Sequence, residues 1–448
     1  METGGPARQR IHRIWPFALA LVALIVSRLW FALTFPVAQI SDYEAYYNEA
    51  RGFAGLAPLT VTWLNSIGPK LFFSVWFRLF GDGLRGIGVA NTLFYAAAVG
   101  LVAAAASRAF DRATALVFLG VSFLSLSEMY FINLASSETL GGLFIAAVYF
   151  LIAPGALSWR RTVILGIVGG LSVYNRSNML PLGALVFAHE MLATRRIRPA
   201  LSRAIVAQTV ALAVTLPLCA FNLSHFGRFT PLIANAANLW YGNNPRLSGD
   251  AHSYPKVPEE YPPGSPGRAE LRREYSVFYE SPDANLDLSQ MNPYEVDDLK
   301  VRYAAGWIAK NPGRYIHLIG ARFQFLFFSC TYGEVPFRYY DDKNPAQPRW
   351  TFDQRRRLEQ ARLPIRRLYQ WLIGGAFLGL AISFLSSPPS RFLTSAKASA
   401  LLILAFYSTP FLLSLAANRY HVPVLSLAWV YLAHGLVVAT RWVRRVIS

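Results

Sequence analysis

The stretch Ile14–Ala50, IWPFALALVALIVSRLWFALTFPVAQISDYEAYYNEA, joins a long apolar run to a short segment rich in acids and tyrosines. The apolar part, Ile14–Phe35, has about the 20 residues that a helix needs to cross roughly 30 Å of hydrocarbon. It is too long for the apolar core of a secretory signal, and no small-residue cleavage site follows it. The stretch therefore predicts a first membrane helix that leads into a polar loop.

The rest of the chain has the composition of a membrane protein. Of the 448 residues, 54% are hydrophobic and 15% are charged, whereas an ordinary soluble protein carries about 25% charged residues. Apolar runs predict about ten spans, at 14–35, 87–107, 113–131, 137–153, 162–176, 178–193, 204–223, 367–386, 397–416 and 420–440. Arg28 lies inside the first run, and we expect its side chain to snorkel toward the membrane surface.

The positive charges indicate the orientation in the membrane. The formal net charge is +18, and arginines concentrate in alternate connections: at 8–13, 108–112, 160–161, 195–203 and 441–445. Such positive-inside patterning predicts that both termini are cytoplasmic. We therefore expect a multi-pass protein of a bacterial inner membrane, with the lipid bilayer and not nucleic acid as the partner of its basic surface.

The largest interruption of the apolar pattern is 226–366, which contains proline-rich and charged sequence suited to water or protein contact. Three regions are expected: an N-terminal transmembrane module over 1–225 with its first outer loop at 36–69, an external region over 226–366, and C-terminal transmembrane helices over 367–448. The short apolar segments Leu71–Phe80 and Tyr315–Cys330 predict interfacial helices. The expected fold is an all-α polytopic bundle with outer juxtamembrane helices and a large external loop.

The segment SDYE at 41–44 has two interpretations. Ser41 and Glu44 fit a capping box that starts a helix at the membrane surface. In such a helix Asp42, Tyr46 and Glu49 share one face, and an acid-and-phenol face directed at the bundle would be a functional site.

Other ionisable residues are expected at the same outer level of the bilayer. Lys70 closes the first outer loop, Glu138 starts a span, Arg176 ends one, and Arg419 precedes the last span. Each alone is more often a residue that snorkels from a helix end. Together they suit transfer from a lipid-linked phosphate, because cations stabilise a departing phosphate and a carboxylate can take the proton of an acceptor hydroxyl. One base would suffice, and direct attack would invert the sugar carbon.

The ordered motifs resemble those of GT-C glycosyltransferases, in particular bacterial relatives of protein O-mannosyltransferases and lipid A aminoarabinose transferases (glycosyltransferase families 39 and 83). The matching segments are the acid after the first span, GPK at 68–70, SSETL at 136–140, NLWYGNNP at 238–245, WIAKNPGRY at 307–315 and NRYHVP at 418–423.

The resemblance implies a polyprenyl-phosphate-sugar donor, used on the periplasmic face, and a glycan, lipid or protein as acceptor. By position, Asp42 would be the catalytic base, with Lys70, Arg176 and Arg419 as ligands of the donor phosphate. The pocket would further include Glu44, Tyr46, Glu138, Asn243 and Asn244. Histidines show no metal spacing, so we expect no obligatory metal or other cofactor.

Alternatives to the transferase remain at this stage. A lipid-linked sugar transporter or flippase would place charges near the membrane midplane, typically in repeated halves. An O-antigen ligase or polymerase, acting on pyrophosphate-linked chains, would also carry outer arginines and a large outer loop. For Gly242–Pro245, ordinary turn chemistry is an equally good interpretation.

Overall fold

The computed structural model describes residues 6–35, 37, 39, 42–59, 66–126, 128–232, 236–247, 255–279, 286–329, 352–386, 392, 397–416 and 419–447. Ser41 and Cys330 lie outside these residues, so the predicted cap at Ser41 is not described. The helices are α1 Pro6–Thr34, α2 Asp42–Ala54, α3 Ile67–Phe80, α4 Leu84–Ala109, α5 Arg112–Leu124, α6 Met129–Ile132, α7 Ser137–Ile152, α8 Trp159–Asn175, α9 Leu182–Thr194, α10 Ile197–Phe226, α11 Asn238–Gly242, α12 Pro266–Tyr275, α13 Pro293–Lys310, α14 Pro312–Phe328, α15 Phe352–Leu385, α16 Lys397–Leu413 and α17 Val422–Ile447.

The described residues form an all-helical, multi-pass membrane protein, which confirms the expected fold class. Each of the ten predicted apolar segments corresponds to helix. Within the described part of the chain, five helices are long and apolar enough to cross a membrane alone: α1, α4, α10, α15 and α17. The juxtamembrane helices predicted in the first loop are α2 and α3.

The buried share of each long helix shows how close that helix lies to the centre of the bundle. Within α17, 72% of the apolar window is buried inside the protein, against 22% for α1. Because α17 packs against α5, α7 and α15, the residues just before its first turn lie at the centre of the bundle. Arg419 is one of them.

Arg28 does not snorkel, contrary to the expectation from sequence. Its side chain is 1% exposed, and it donates to the carbonyls of Ser122 (2.8 Å) and Ser125 (3.1 Å). Helix α5 ends early, at Leu124, so the regular helical hydrogen bonds stop here. The Ser122 carbonyl also accepts from the N–H of Ser125 and from the Tyr95 hydroxyl, both at 3.3 Å. The guanidinium stabilises this break, because unpaired backbone groups are costly at membrane depth.

The segment between α10 and α15 has a small core of its own. Buried aromatic rings of α11, α12 and α13 meet there, with Trp240, Tyr275 and Tyr303 at its centre. Helix α13 begins with a complete capping box, in which Asn292 and Glu295 each satisfy a backbone N–H of the other.

This segment between α10 and α15, which keeps the name external segment from the sequence prediction, is fastened to the end of α16. Arg322 of α14 is fully buried and donates to the carbonyls of Leu412 and Gly242 and to the side chain of Asn243. A side chain at Gly242 would collide with the carbonyl of Ser414, so glycine permits this close approach. The contact brings α11 and α13 over the membrane helices.

Candidate active site

A cavity of about 880 Å³ lies where α2, α7, α8 and α17 begin or end beneath the external segment. Five of the residues singled out from sequence line it: Asp42, Tyr46, Glu138, Arg176 and Arg419. The external segment contributes a second wall that includes Tyr241, Asp297 and Lys300. The cavity is thus bounded by membrane helices on one side and by the external segment on the other.

The charged residues of the membrane wall stand at helix ends. Asp42 and Glu138 lie in the first turns of α2 and α7, where a carboxylate is favoured by the helix dipole. Arg176 is the residue directly after α8, and the carbonyl of Arg419 accepts from the N–H of Val422 in the first turn of α17. Helix ends at one level of the bundle therefore bring together residues remote in sequence.

These four side chains form a continuous chain of ion pairs. Asp42 Oδ2 accepts from Arg419 Nη2, and Arg419 Nε lies 3.8 Å from Glu138 Oε1. The same Glu138 oxygen lies 2.7 Å from Arg176 Nη2, which also donates to Ser137 Oγ at 2.9 Å. Glu138 thereby holds two guanidinium groups side by side.

Aromatic rings complete the membrane wall. The Tyr420 ring lies 5.0 Å from the Arg176 guanidinium and 5.5 Å from that of Arg419, within range of cation–π attraction. Burial, reinforced by the Glu138 charge, raises the pKa of Tyr46 to about 12. Its phenol therefore stays protonated at neutral pH and can donate a hydrogen bond, but it is not a base.

Lys70 lies apart from this group. Its ammonium lies 2.7 Å from Glu49 Oε2, and the two side chains are 1% and 2% exposed. Burial lowers the pKa of Lys70, and the hydrogen bond and charge of Glu49 oppose that effect. The pair joins α3 to α2, so Lys70 supports the helix that carries Asp42. It does not line the described cavity.

We expect Lys70→Met to cost about 3–5 kcal/mol of unfolding free energy, because it leaves the buried Glu49 carboxylate without its cation. The double variant Lys70→Met/Glu49→Leu should recover most of this loss, since it removes both charges. Unfolding titrations with SDS in detergent, on the wild type, the two single variants and the double variant, would measure the coupling free energy between the two side chains. If the losses of unfolding free energy in the two single variants add up to the loss in the double variant, the two side chains do not stabilise one another.

Three other residues expected in the pocket also lie away from the cavity. Glu44 is exposed on α2. Asn243 and Asn244 are fully buried, and their side-chain amides donate to backbone carbonyls. Asn243 donates to the carbonyls of Leu239 and Leu413. Asn244 donates to those of Trp240 and Tyr241. Such contacts are typical of a turn, here one that fixes the external segment. They agree with the interpretation of Gly242–Pro245 as ordinary turn chemistry.

The sequence analysis did not predict that Asp297 and Lys300 of the external segment line the cavity. Asp297 accepts from the N–H groups of Ala236 (2.7 Å) and Ala237 (3.0 Å), and burial raises its pKa in spite of these bonds. Burial lowers the pKa of Lys300, but hydrogen bonds to Glu260 and Tyr241 outweigh it, so the net pKa is raised. Both residues occur in YEVDDLKVRY, which has no feature beyond that of a charged amphipathic helix.

Among the described residues, no three His, Cys, Asp or Glu side chains are grouped to hold a metal ion. The expectation that no metal or cofactor is obligatory stays a prediction.

No protein-family model matches the chain, and no curated protein matches it. Its structure is similar to that of the Archaeoglobus fulgidus oligosaccharyltransferase tethered with an acceptor peptide, with a TM-score of 0.49 and 13% identity over 95% of this chain and 49% of that one. The same archaeal enzyme, AglB, in complex with an inhibitory peptide and a dolichol-phosphate, gives a TM-score of 0.49 and 13% identity over 95% and 51%. ArnT from Cupriavidus metallidurans, bound to undecaprenyl phosphate, gives 0.42 and 14% over 94% and 77%.

The chain spans about half the length of the archaeal structures. At such low identity and with TM-scores below 0.5, no argument about the activity of this chain follows from the likeness.

Proposed function

We propose that the chain is an inverting glycosyltransferase that moves a monosaccharide from a polyprenyl-phosphate donor to a hydroxyl of a glycan, lipid or protein. The observation that carries the proposal is the chain of ion pairs Asp42–Arg419–Glu138–Arg176 on the wall of one cavity. It combines a carboxylate that can take a proton with two cations that can hold a phosphate.

Asp42 has the environment of a positioned base. Arg419 holds its Oδ2, whereas Oδ1 accepts no hydrogen bond from the residues that the structure describes. The side chain is 36% exposed and lines the cavity. An acceptor hydroxyl could therefore approach Oδ1 while Arg419 fixes the orientation of the carboxylate.

Arg176 and Arg419 have the environment of a phosphate site. As the bond between the sugar C1 and the phosphate oxygen breaks, negative charge grows on the departing polyprenyl phosphate, and fixed cations stabilise it. The acceptor oxygen forms the new bond to C1 from the opposite face, and its proton passes to Asp42. One displacement of this kind inverts the configuration at C1.

The two ends of α8 support an orientation with the cavity on the outer face. Arg160 and Arg161 stand in its first turn and Arg176 directly follows its last residue, so the arginine-rich connection and the cavity lie at opposite ends of the helix. With positive charge retained in the cytoplasm, the cavity opens to the outer face, the periplasm in a bacterial inner membrane.

A matched pair of donors tests the reaction class. The purified protein would receive one sugar linked either to polyprenyl monophosphate or to polyprenyl pyrophosphate, together with membrane extract as acceptor. We expect consumption of the monophosphate donor, release of polyprenyl phosphate and an inverted linkage in the product. Consumption of the pyrophosphate donor alone would instead indicate a ligase or polymerase of lipid-linked glycans.

A further inference from the structure

Lys300 is the charged group that the external wall offers to the cavity. It belongs to α13, is 7% exposed, and lines the cavity beside Tyr241. The other charged residue of that wall, Asp297, uses its two oxygens on the backbone N–H groups of Ala236 and Ala237. Its carboxylate oxygens are therefore bound to the backbone, although its charge also acts on Lys300, and the ammonium of Lys300 is the cation that this wall presents to a ligand.

The hydrogen bonds of Lys300 leave room for one more acceptor. Its ammonium has three N–H donors, of which one meets Glu260 Oε1 at 2.6 Å and another Tyr241 Oη at 3.0 Å. Both partners belong to the external segment. No further acceptor for the ammonium is found among the residues that the structure describes, so the third N–H is available inside the cavity.

A negative group is the ligand that gains most from this site. Hydrogen bonds between an ammonium and a phosphate or carboxylate are shorter and stronger than those to a neutral hydroxyl. Glu260, the counter-ion of Lys300, is 22% exposed and does not line the cavity, so water weakens its effect on the ammonium. On the membrane wall, the acids Asp42 and Glu138 line the cavity themselves, next to the arginines with which they pair.

We propose that Lys300, supported by Tyr241, binds an anionic group of the acceptor, a phosphate or a carboxylate, and so selects acidic acceptors. The inference rests on the proposed function, because it takes the donor phosphate to occupy Arg176 and Arg419 on the membrane wall. The two walls would then hold the two substrates, with the acceptor hydroxyl near Asp42.

The test uses three probes that share one sugar ring and differ at C6, where they carry a neutral hydroxymethyl, a phosphate or a carboxylate group: methyl glucoside, methyl glucoside 6-phosphate and methyl glucuronide. Binding is measured by equilibrium dialysis with the full chain in nanodiscs saturated with undecaprenyl phosphate, which fills the arginine site. We expect the wild type to bind one or both anionic probes at least about tenfold more tightly than the neutral one. Comparison of the affinities for the phosphate and carboxylate probes shows which anion the site prefers.

Lys300→Gln should abolish this preference, because the amide keeps a donor but lacks the charge. Lys300→Arg should retain most of it. Lys256→Gln is the matched control: this exposed lysine lies on the same segment, beside Tyr261, and its replacement should leave the preference unchanged.

Equal binding of the three probes by the wild type, or an unchanged preference in Lys300→Gln, would overturn the inference. The result is independent of turnover. A preference that depends on Lys300 in a protein without transfer activity would refute the proposed function and leave the anion site standing.

Discussion

Asp42→Asn lowers kcat for sugar transfer by about 10²–10⁴-fold, the range that a positioned general base contributes. The asparagine side chain has nearly the same size and can still accept a hydrogen bond from Arg419, but its amide cannot take the proton of the acceptor hydroxyl. Because both proposed phosphate ligands, Arg176 and Arg419, are kept and the asparagine oxygen can still accept from Arg419, KM for the donor should change little. Initial rates with purified protein and radiolabelled donor would measure both constants.

The control for this variant is Asp298→Asn. Asp298 is 47% exposed and pairs with Arg228 on the external segment, away from the cavity, so its activity should stay within about twofold of wild type, since exposed ion pairs contribute little. Asp42→Asn activity within fivefold of wild type, in a folded protein, would exclude Asp42 as the base.

Arg176→Gln is the second large effect, with an expected loss of about 10²–10³-fold in kcat, as when one donor of a transition-state anion site is removed. The structure leaves this arginine donors for a ligand. Its Nη2 serves Glu138 and Ser137, and the guanidinium lines the cavity. Growing charge on the departing phosphate would engage the remaining N–H groups.

Arg176→Lys should recover only a small part of the lost rate, because an ammonium cannot bind Glu138 and a phosphate with the planar geometry of a guanidinium. Arg228→Gln, which breaks the exposed pair with Asp298, serves as the matched control. A variant in which KM for the donor rises while kcat is unchanged would make Arg176 a binding residue without a role in the transition state.

The sequence predicts the helices and four members of the ion-pair chain for one physical reason. Apolar run length and arginine placement define where each span ends, and polar residues next to those ends share a level of the membrane. Asp42, Glu138, Arg176 and Arg419 are therefore predictable as neighbours. Their ion-pair partners are not, since these depend on side-chain directions across helices.

Three cations whose positions the sequence did not predict show what sequence alone cannot reveal. Lys70 and Arg28, like Arg176, are cations near the ends of apolar segments. Each is held by a neighbour that only the packed structure reveals: Glu49 for Lys70, and carbonyls at the end of α5 for Arg28. Lys300 lacked a sequence signal altogether, because its role arises from the contact between the external segment and the end of α16.

The most direct test of the central claim separates chemistry from transport. Wild-type protein in liposomes would be supplied with a polyprenyl-phosphate-linked radiolabelled sugar in one leaflet and with membrane extract outside, and the label would be followed by extraction. If the protein is the proposed transferase, the label appears on a new acceptor, unlabelled polyprenyl phosphate appears in the lipid phase, and both are lost in Asp42→Asn. Label that crosses the bilayer on intact donor lipid, equally in wild type and in Asp42→Asn, would contradict it and indicate a transporter.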